Sequence, residues 1–122
     1  MNHLTRQEQA RAILERRAAR VASKILQRRA TSEADYLEAF NLERIDLISE
    51  IPNREALLAL GRNVVGPRDD LYILDDGDSF RVYLQERGET YQEVIGASFD
   101  EARNAAIDRI IMVQGLPFTP PG

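Results

Sequence analysis

Between Leu71 and Gln114 the chain reads as strand, turn, strand, turn, strand and capped helix, and this order restricts the fold more than any other feature. Leu71-Tyr72-Ile73-Leu74 is a short apolar run, Asp75-Asp76-Gly77-Asp78 is turn chemistry, and Phe80 to Gln85 alternates in period two. A second turn, Glu86-Arg87-Gly88-Glu89, leads to Thr90 through Ile95. Asp-Gly between β-prone segments is a strong hairpin signal, because glycine accepts positive φ without a Cβ clash. Phe80, Val82 and Leu84 should face one way and Arg81, Tyr83 and Gln85 the other, giving one core face and one wet face. Ser98 and Glu101 have capping-box spacing, which predicts a helix from Phe99. Its Ala102, Ala105, Ala106, Ile110 and Val113, with Ile107 and Ile111 close by, are expected to lie over Phe80, Val82 and Leu84. Gly115 should stop it.

The N-terminal half reads as helical. From Thr5 to Arg29 the residues Ala10, Ile13, Leu14, Ala18, Val21, Ala22, Ile25 and Leu26 recur at three- and four-residue steps, without proline or glycine. That pattern predicts one long helix. Ser32 is placed to cap a second helix with Tyr36, Leu37 and Phe40 inward. A third is expected from Leu42 to Glu50, with Leu42, Ile45 and either Leu47 or Ile48 inward, ended by Pro52. Asn53 can cap a fourth, with Leu57, Leu58 and Leu60 buried and Gly61 as a left-handed stop. Arg62 to Arg68 reads as the connection into the sheet. After Gly115 the proline-rich tail cannot continue as helix or central strand; Phe118 either anchors it or the end lacks fixed structure.

These elements describe an α+β fold: N-terminal helices, then an antiparallel sheet of about three strands packed against a C-terminal helix. A chain of 122 residues suits a single domain over 1–122, with a helical part at 1–61, a β-β-β-α part at 62–115 and a tail at 116–122. There is no cysteine, which excludes disulfides, thiolate zinc sites and a cysteine nucleophile. No apolar run has the length of a signal peptide core or a membrane span, so a cytoplasmic protein without membrane contact is expected.

Charge is unevenly distributed. Residues 1 to 30 carry eight Lys or Arg against two acids, whereas residues 66 to 122 carry five against eleven. Clustered cations such as Arg16, Arg20 and Lys24 can neutralise phosphates, but the helix lacks the aromatic or amide pattern of a base-reading surface. A solvated basic face that meets acids of the same molecule explains it better. Asp69, Asp70, Asp75, Asp76 and Asp78 lack EF-hand spacing and read as turn formers. The sole histidine, His3, has no ligating neighbours in sequence. No catalytic residue, metal site or cofactor is assigned, and the expectation is a protein that is not an enzyme. Acidic side chains on the wet sheet face and its turns, with Tyr72, Tyr83 and Tyr91 nearby, offer a recognition patch for a basic protein.

The run Asp75-Asp76-Gly77-Asp78, Phe80-Arg81-Val82-Tyr83, Glu86-Arg87-Gly88-Glu89 and Phe99 with Glu101-Ala102 resembles the small bacterial immunity proteins of polymorphic and contact-dependent toxin systems. The resemblance covers about Tyr72 to Ile111. It implies an inhibitor whose partner is a cognate toxin domain, often a nuclease, blocked through an acidic surface with Asp75, Asp76, Asp78, Tyr83, Glu86 and Glu89 as the candidate contacts. The order of helix, three strands and helix from Asn53 to Gln114 is also similar to a double-stranded RNA-binding domain, with Glu101-Ala102-Arg103-Asn104-Ala105-Ala106 at its final helix. That family holds phosphates with lysines where this chain has Phe99, Asp100 and Glu101, which argues against nucleic acid as the partner.

Overall fold

The computed structural model describes residues 3–122, which divide into two compact units. One comprises residues up to Glu50 together with Ile110–Gly122, and the other is Ile51–Arg109. The architecture is α+β: helices α1 (Arg6–Leu14), α2 (Ala18–Leu26), α3 (Glu33–Ala39), α4 (Arg44–Ser49) and α5 (Arg54–Leu58), strands β1 (Asp70–Asp75), β2 (Phe80–Glu86) and β3 (Glu89–Ala97), and helix α6 (Phe99–Val113). Alpha-helix α5 falls in the sheet unit and the C-terminal tail in the helical unit.

The long first helix expected from periodicity is two helices. Alpha-helix α1 ends in a Schellman motif: Arg17 N–H bonds to Ala12 O at 2.7 Å and Arg16 N–H to Ile13 O at 3.1 Å. Arg16 takes φ 60°, a left-handed conformation that costs a residue with a Cβ about 1 kcal/mol or more. A side chain nearly one hundred residues away supports the break. Gln114 donates from Nε2 to Ile13 O (2.9 Å) and accepts at Oε1 from Ala18 N–H (3.4 Å), serving the end of one helix and the start of the next. Local periodicity carries no trace of such a distant partner.

Gln9 is the one fully buried polar side chain among the described residues. Its Nε2 donates to Leu4 O and Asn41 Oδ1, both at 2.7 Å. Its Oε1 accepts from the N–H groups of Asn41 (2.9 Å) and Leu42 (3.0 Å). All its hydrogen-bonding capacity is used: one bond goes to Leu4 ahead of α1, and three tie α1 to the turn between α3 and α4. Tyr36, Phe40 and Phe118 stack with centroids 6.1–6.3 Å apart, so the tail is anchored and Phe118 is buried. Leu42 and Leu47 face the core as expected, whereas Leu37 and Ile45 are exposed.

In the sheet unit the strands form an antiparallel meander in the order β1-β2-β3. Ser98 and Glu101 form the anticipated capping box, and α6 packs on the sheet, Phe99 meeting Phe80 edge to face at 6.3 Å. Ala102, Ala105, Ala106 and Ile107 are buried, but Val113 is 49% exposed. Gly61 is not a left-handed stop. A Cβ there would lie 2.6 Å from Leu71 O, because Arg62 bridges the outer edge of β1 through Arg62 N–H to Leu71 O and Ile73 N–H to Arg62 O, each 2.8 Å.

The second face of the sheet is not wet. Tyr72 and Tyr83 pair across the strands and stack at 5.0 Å, and both are buried with Leu74. The connection before β1 folds over them: Tyr72 Oη donates to Gly66 O (3.0 Å) and Arg68 O (2.7 Å), and Gln85 Nε2 donates to the same two carbonyls. Val64 and Val65 stay exposed on that connection.

Replacing Gln9 by Leu should lower unfolding free energy in urea by about 2 kcal/mol, since the buried N–H of Leu42 and the part-buried N–H of Asn41 lose their acceptor. A pH effect should come from Asp35. Hydrogen bonds from Thr31 N–H, Arg28 and Ser32 N–H hold its carboxyl far below the ordinary carboxylate range. Its contribution to stability is complete above the unfolded value of about 4 and is lost as pH falls further. The Tm gap between wild type and Asp35→Asn should therefore be largest near neutrality and narrow steadily as pH falls below about 4.

Candidate functional site

The acids singled out in the sequence are exposed, but the meander sorts them into two poles. Strand β2 rises about 20 Å from Phe80 to Glu86. Asp75, Asp76 and Asp78 lie at one end of it, and Glu86 and Glu89 at the other. Asp69 and Asp70 precede β1 or begin it, so the register places them with Glu86 rather than with the other aspartates. Tyr83 joins neither pole. It is buried against Tyr72 on the face that the 62–69 connection covers, and so presents little surface for contact.

At the first pole the charge is largely answered. Asp75 pairs with Arg54 at 3.0 Å and accepts from Gly77 N–H, and Asp76 pairs with Arg81 at 3.5 Å. The Arg54 guanidinium also sits 5.4 Å from the Phe80 ring centroid, a cation–π arrangement that keeps it beside the turn. Asp78 alone at this pole has no ion-pair partner among the described residues.

The second pole is built on a two-residue turn in which Arg87 (φ 52°) and Gly88 (φ 79°) are both left-handed, the geometry that matches strand twist. Asp69 Oδ1 accepts from Arg87 N–H at 2.8 Å and fixes the turn to the connection before β1. Glu86 and Glu89 are exposed and lack ion-pair partners among the described residues. Glu86 and Glu89 are cross-strand partners, and two positions along β3 stands Tyr91, 39% exposed, its Oη donating to Glu86 Oε2 at 3.4 Å. Loss of solvent, the charge of Glu86 and its hydrogen bond, and the charges of Glu89 and Asp69 push the Tyr91 phenol above its ordinary range. Asp70 is drawn off by Arg62 at 3.1 Å. The grouping of Asp69 with Glu86 follows from antiparallel register, which a one-dimensional cluster of aspartates conceals.

Beside this pole runs β3, an edge strand with two irregularities in its pairing to β2. Each coincides with a left-handed residue, Gln92 (φ 47°) and Gly96 (φ 71°). Arg109 of α6 donates from Nε (3.1 Å) and Nη2 (2.6 Å) to Gln92 O, holding the first bulge in place. Glu93 and Ile95 are exposed along the same strand.

By unit, the charge asymmetry sharpens. The helical unit holds nine Lys or Arg against eight acids, net +1, and the sheet unit seven against twelve, net −5. The basic N-terminal face meets acids of its own unit: Arg6 approaches Glu43 and Asp46, Arg11 lies 3.4 Å from Glu50, and Arg28 pairs with Asp35 (2.6 Å) and Glu38 (3.2 Å). His3 is exposed with Nε2 2.9 Å from Glu38 O, and no group of three potential metal ligands occurs among the described residues. No helix among those residues is long and apolar enough to cross a membrane.

Substituting Glu86 by Gln removes one of the negative charges that oppose Tyr91 ionisation, so the Tyr91 phenol should titrate at lower pH in the variant. Cζ chemical shifts followed through an alkaline titration check this, and an unchanged titration would mean that the pair does not persist in solution. Comparison with protein-family models, curated proteins and solved structures finds no match to this chain.

Proposed function

We propose that the protein is an immunity protein, which binds a cognate bacterial toxin domain in the cytoplasm and neutralises it without turnover or cofactor. The observation that carries this reading is the second pole. Glu86 and Glu89, without cationic partners among the described residues, lie beside a part-exposed tyrosine on a unit of net charge −5. Concentrated negative charge accelerates encounter with a basic surface and rejects like-charged partners. A tyrosine adds contact area at small entropic cost. The position of the acids on a turn fixed by Asp69 favours a preorganised contact, since little freedom remains to be lost on binding.

The order α5-β1-β2-β3-α6 fits the scaffold of the RNA-binding alternative, but charge opposes that reading. Asp100 and Glu101 open α6, and Arg103 is occupied by Asp100 at 2.9 Å and by Ile51 O at 3.2 Å. A phosphate backbone approaching there would meet carboxylates.

The test is co-expression with the C-terminal domain of a large secreted protein encoded immediately upstream. Co-purification and protection of the host cell are expected. The variant Glu86→Lys/Glu89→Lys should weaken binding roughly tenfold to a hundredfold, chiefly through slower association in low salt. Asp76→Asn/Asp78→Asn should change affinity far less. Absence of binding and protection, or equal affinity in both variants, would overturn the proposal.

A further inference from the structure

We propose that the segment from Gln114 to Pro121 is a latch, and that its release lets α1 and α2 join into one continuous helix. This inference rests on the helical unit alone and does not depend on the function proposed above. Residues Glu15, Arg16 and Arg17 between the two helices are good helix formers, with neither proline nor glycine among them. The break is therefore imposed by tertiary contacts on a sequence whose local preference is continuity, a conflict between levels that marks a two-state element.

Partner exchange makes the second state accessible. In a continuous helix Arg17 N–H would bond to Ile13 O and Ala18 N–H to Leu14 O. In the broken form Ile13 O and Ala18 N–H are held by the Gln114 amide, and Leu14 O accepts from Arg16 Nη1 at 2.8 Å. Each group thus has a partner in both arrangements, and joining the helices leaves none of them orphaned. Joining also returns Arg16 from φ 60° to the right-handed region.

Three contacts hold the latch. Gln114 bonds to Ile13 O, Ala18 N–H and Ile110 O, Phe118 stacks on Tyr36 and Phe40, and Pro121 O accepts from Arg44 N–H at 2.7 Å. On the other side, the broken form buries Ala18 and Ala22 and keeps Arg28 on Asp35 and Glu38. Release would set Arg16, Arg20 and Lys24 at four-residue steps along one rod that ends at Leu26, a basic stripe that the break interrupts.

The experiment uses the full chain, which has no native cysteine. Spin labels at Gln7→Cys and Lys24→Cys, both exposed positions, report the separation across the break. A continuous helix places these Cα atoms about 26 Å apart. The native chain should give one shorter distance. Gln114→Ala/Phe118→Ala should raise the population near the longer distance roughly tenfold, as expected for loss of one or two net hydrogen bonds. Adding Arg16→Gly, which relieves the cost of positive φ, should return the population toward the short distance. A single short distance in the double variant, no reversal by Arg16→Gly, or loss of helical circular dichroism in place of the longer distance would each overturn the latch.

Discussion

The helical unit depends on two glutamine side chains bonded to backbone. None of α1 to α4 exceeds nine residues, and isolated helices of that length are marginal in water. Gln9 and Gln114 compensate by satisfying main-chain groups at the places where the chain turns. Buried amides of this kind are costly unless fully paired, and Gln9 is fully paired. Gln9 is itself fully buried, which keeps water from competing for the same groups.

The sheet unit solves a different problem. Three strands can present one face to a helix, but the other face must be polar or find its own cover. Here Tyr72 and Tyr83 make that second face apolar, and the 62–69 connection covers it because Tyr72 and Gln85 can each donate to Gly66 and Arg68 carbonyls. Alternation in β2 was legible and correct as a statement about which residues share a face. It was silent on burial, because a tyrosine reads as an amphipathic residue whichever side of the sheet it occupies.

Local chemistry was the legible layer. Caps at Ser32, Asn53 and Ser98, the hairpin turns at Gly77 and Gly88, and the stop at Gly115 could be read because each needs only residues within a few positions. Long-range partners were the illegible layer. The break at Arg16 requires Gln114, the glycine at position 61 answers to a carbonyl of β1, and the anchored tail needs the Tyr36 and Phe40 rings. Of the candidate site residues the acids are exposed but fall at two ends of the meander, and Tyr83 is buried. Charge counted along the chain merges what an antiparallel strand separates.

The edge strand limits how any extended chain could add to this unit. An unpaired edge is a template for strand addition when it is flat and regular. Strand β3 is neither: it turns left-handed at Gln92 and Gly96, and the Gln92 carbonyl is already taken by Arg109. A second extended chain could not keep register past the first bulge. Glu89 and Glu93 also put negative charge along this edge. The edge therefore presents side chains more readily than a ladder of free amides, and at its hairpin end those side chains are Glu86, Glu89 and Tyr91. Blunting the strand and concentrating charge at its turn are two consequences of one geometry, and together they favour recognition by surface complementarity over recognition by shared backbone.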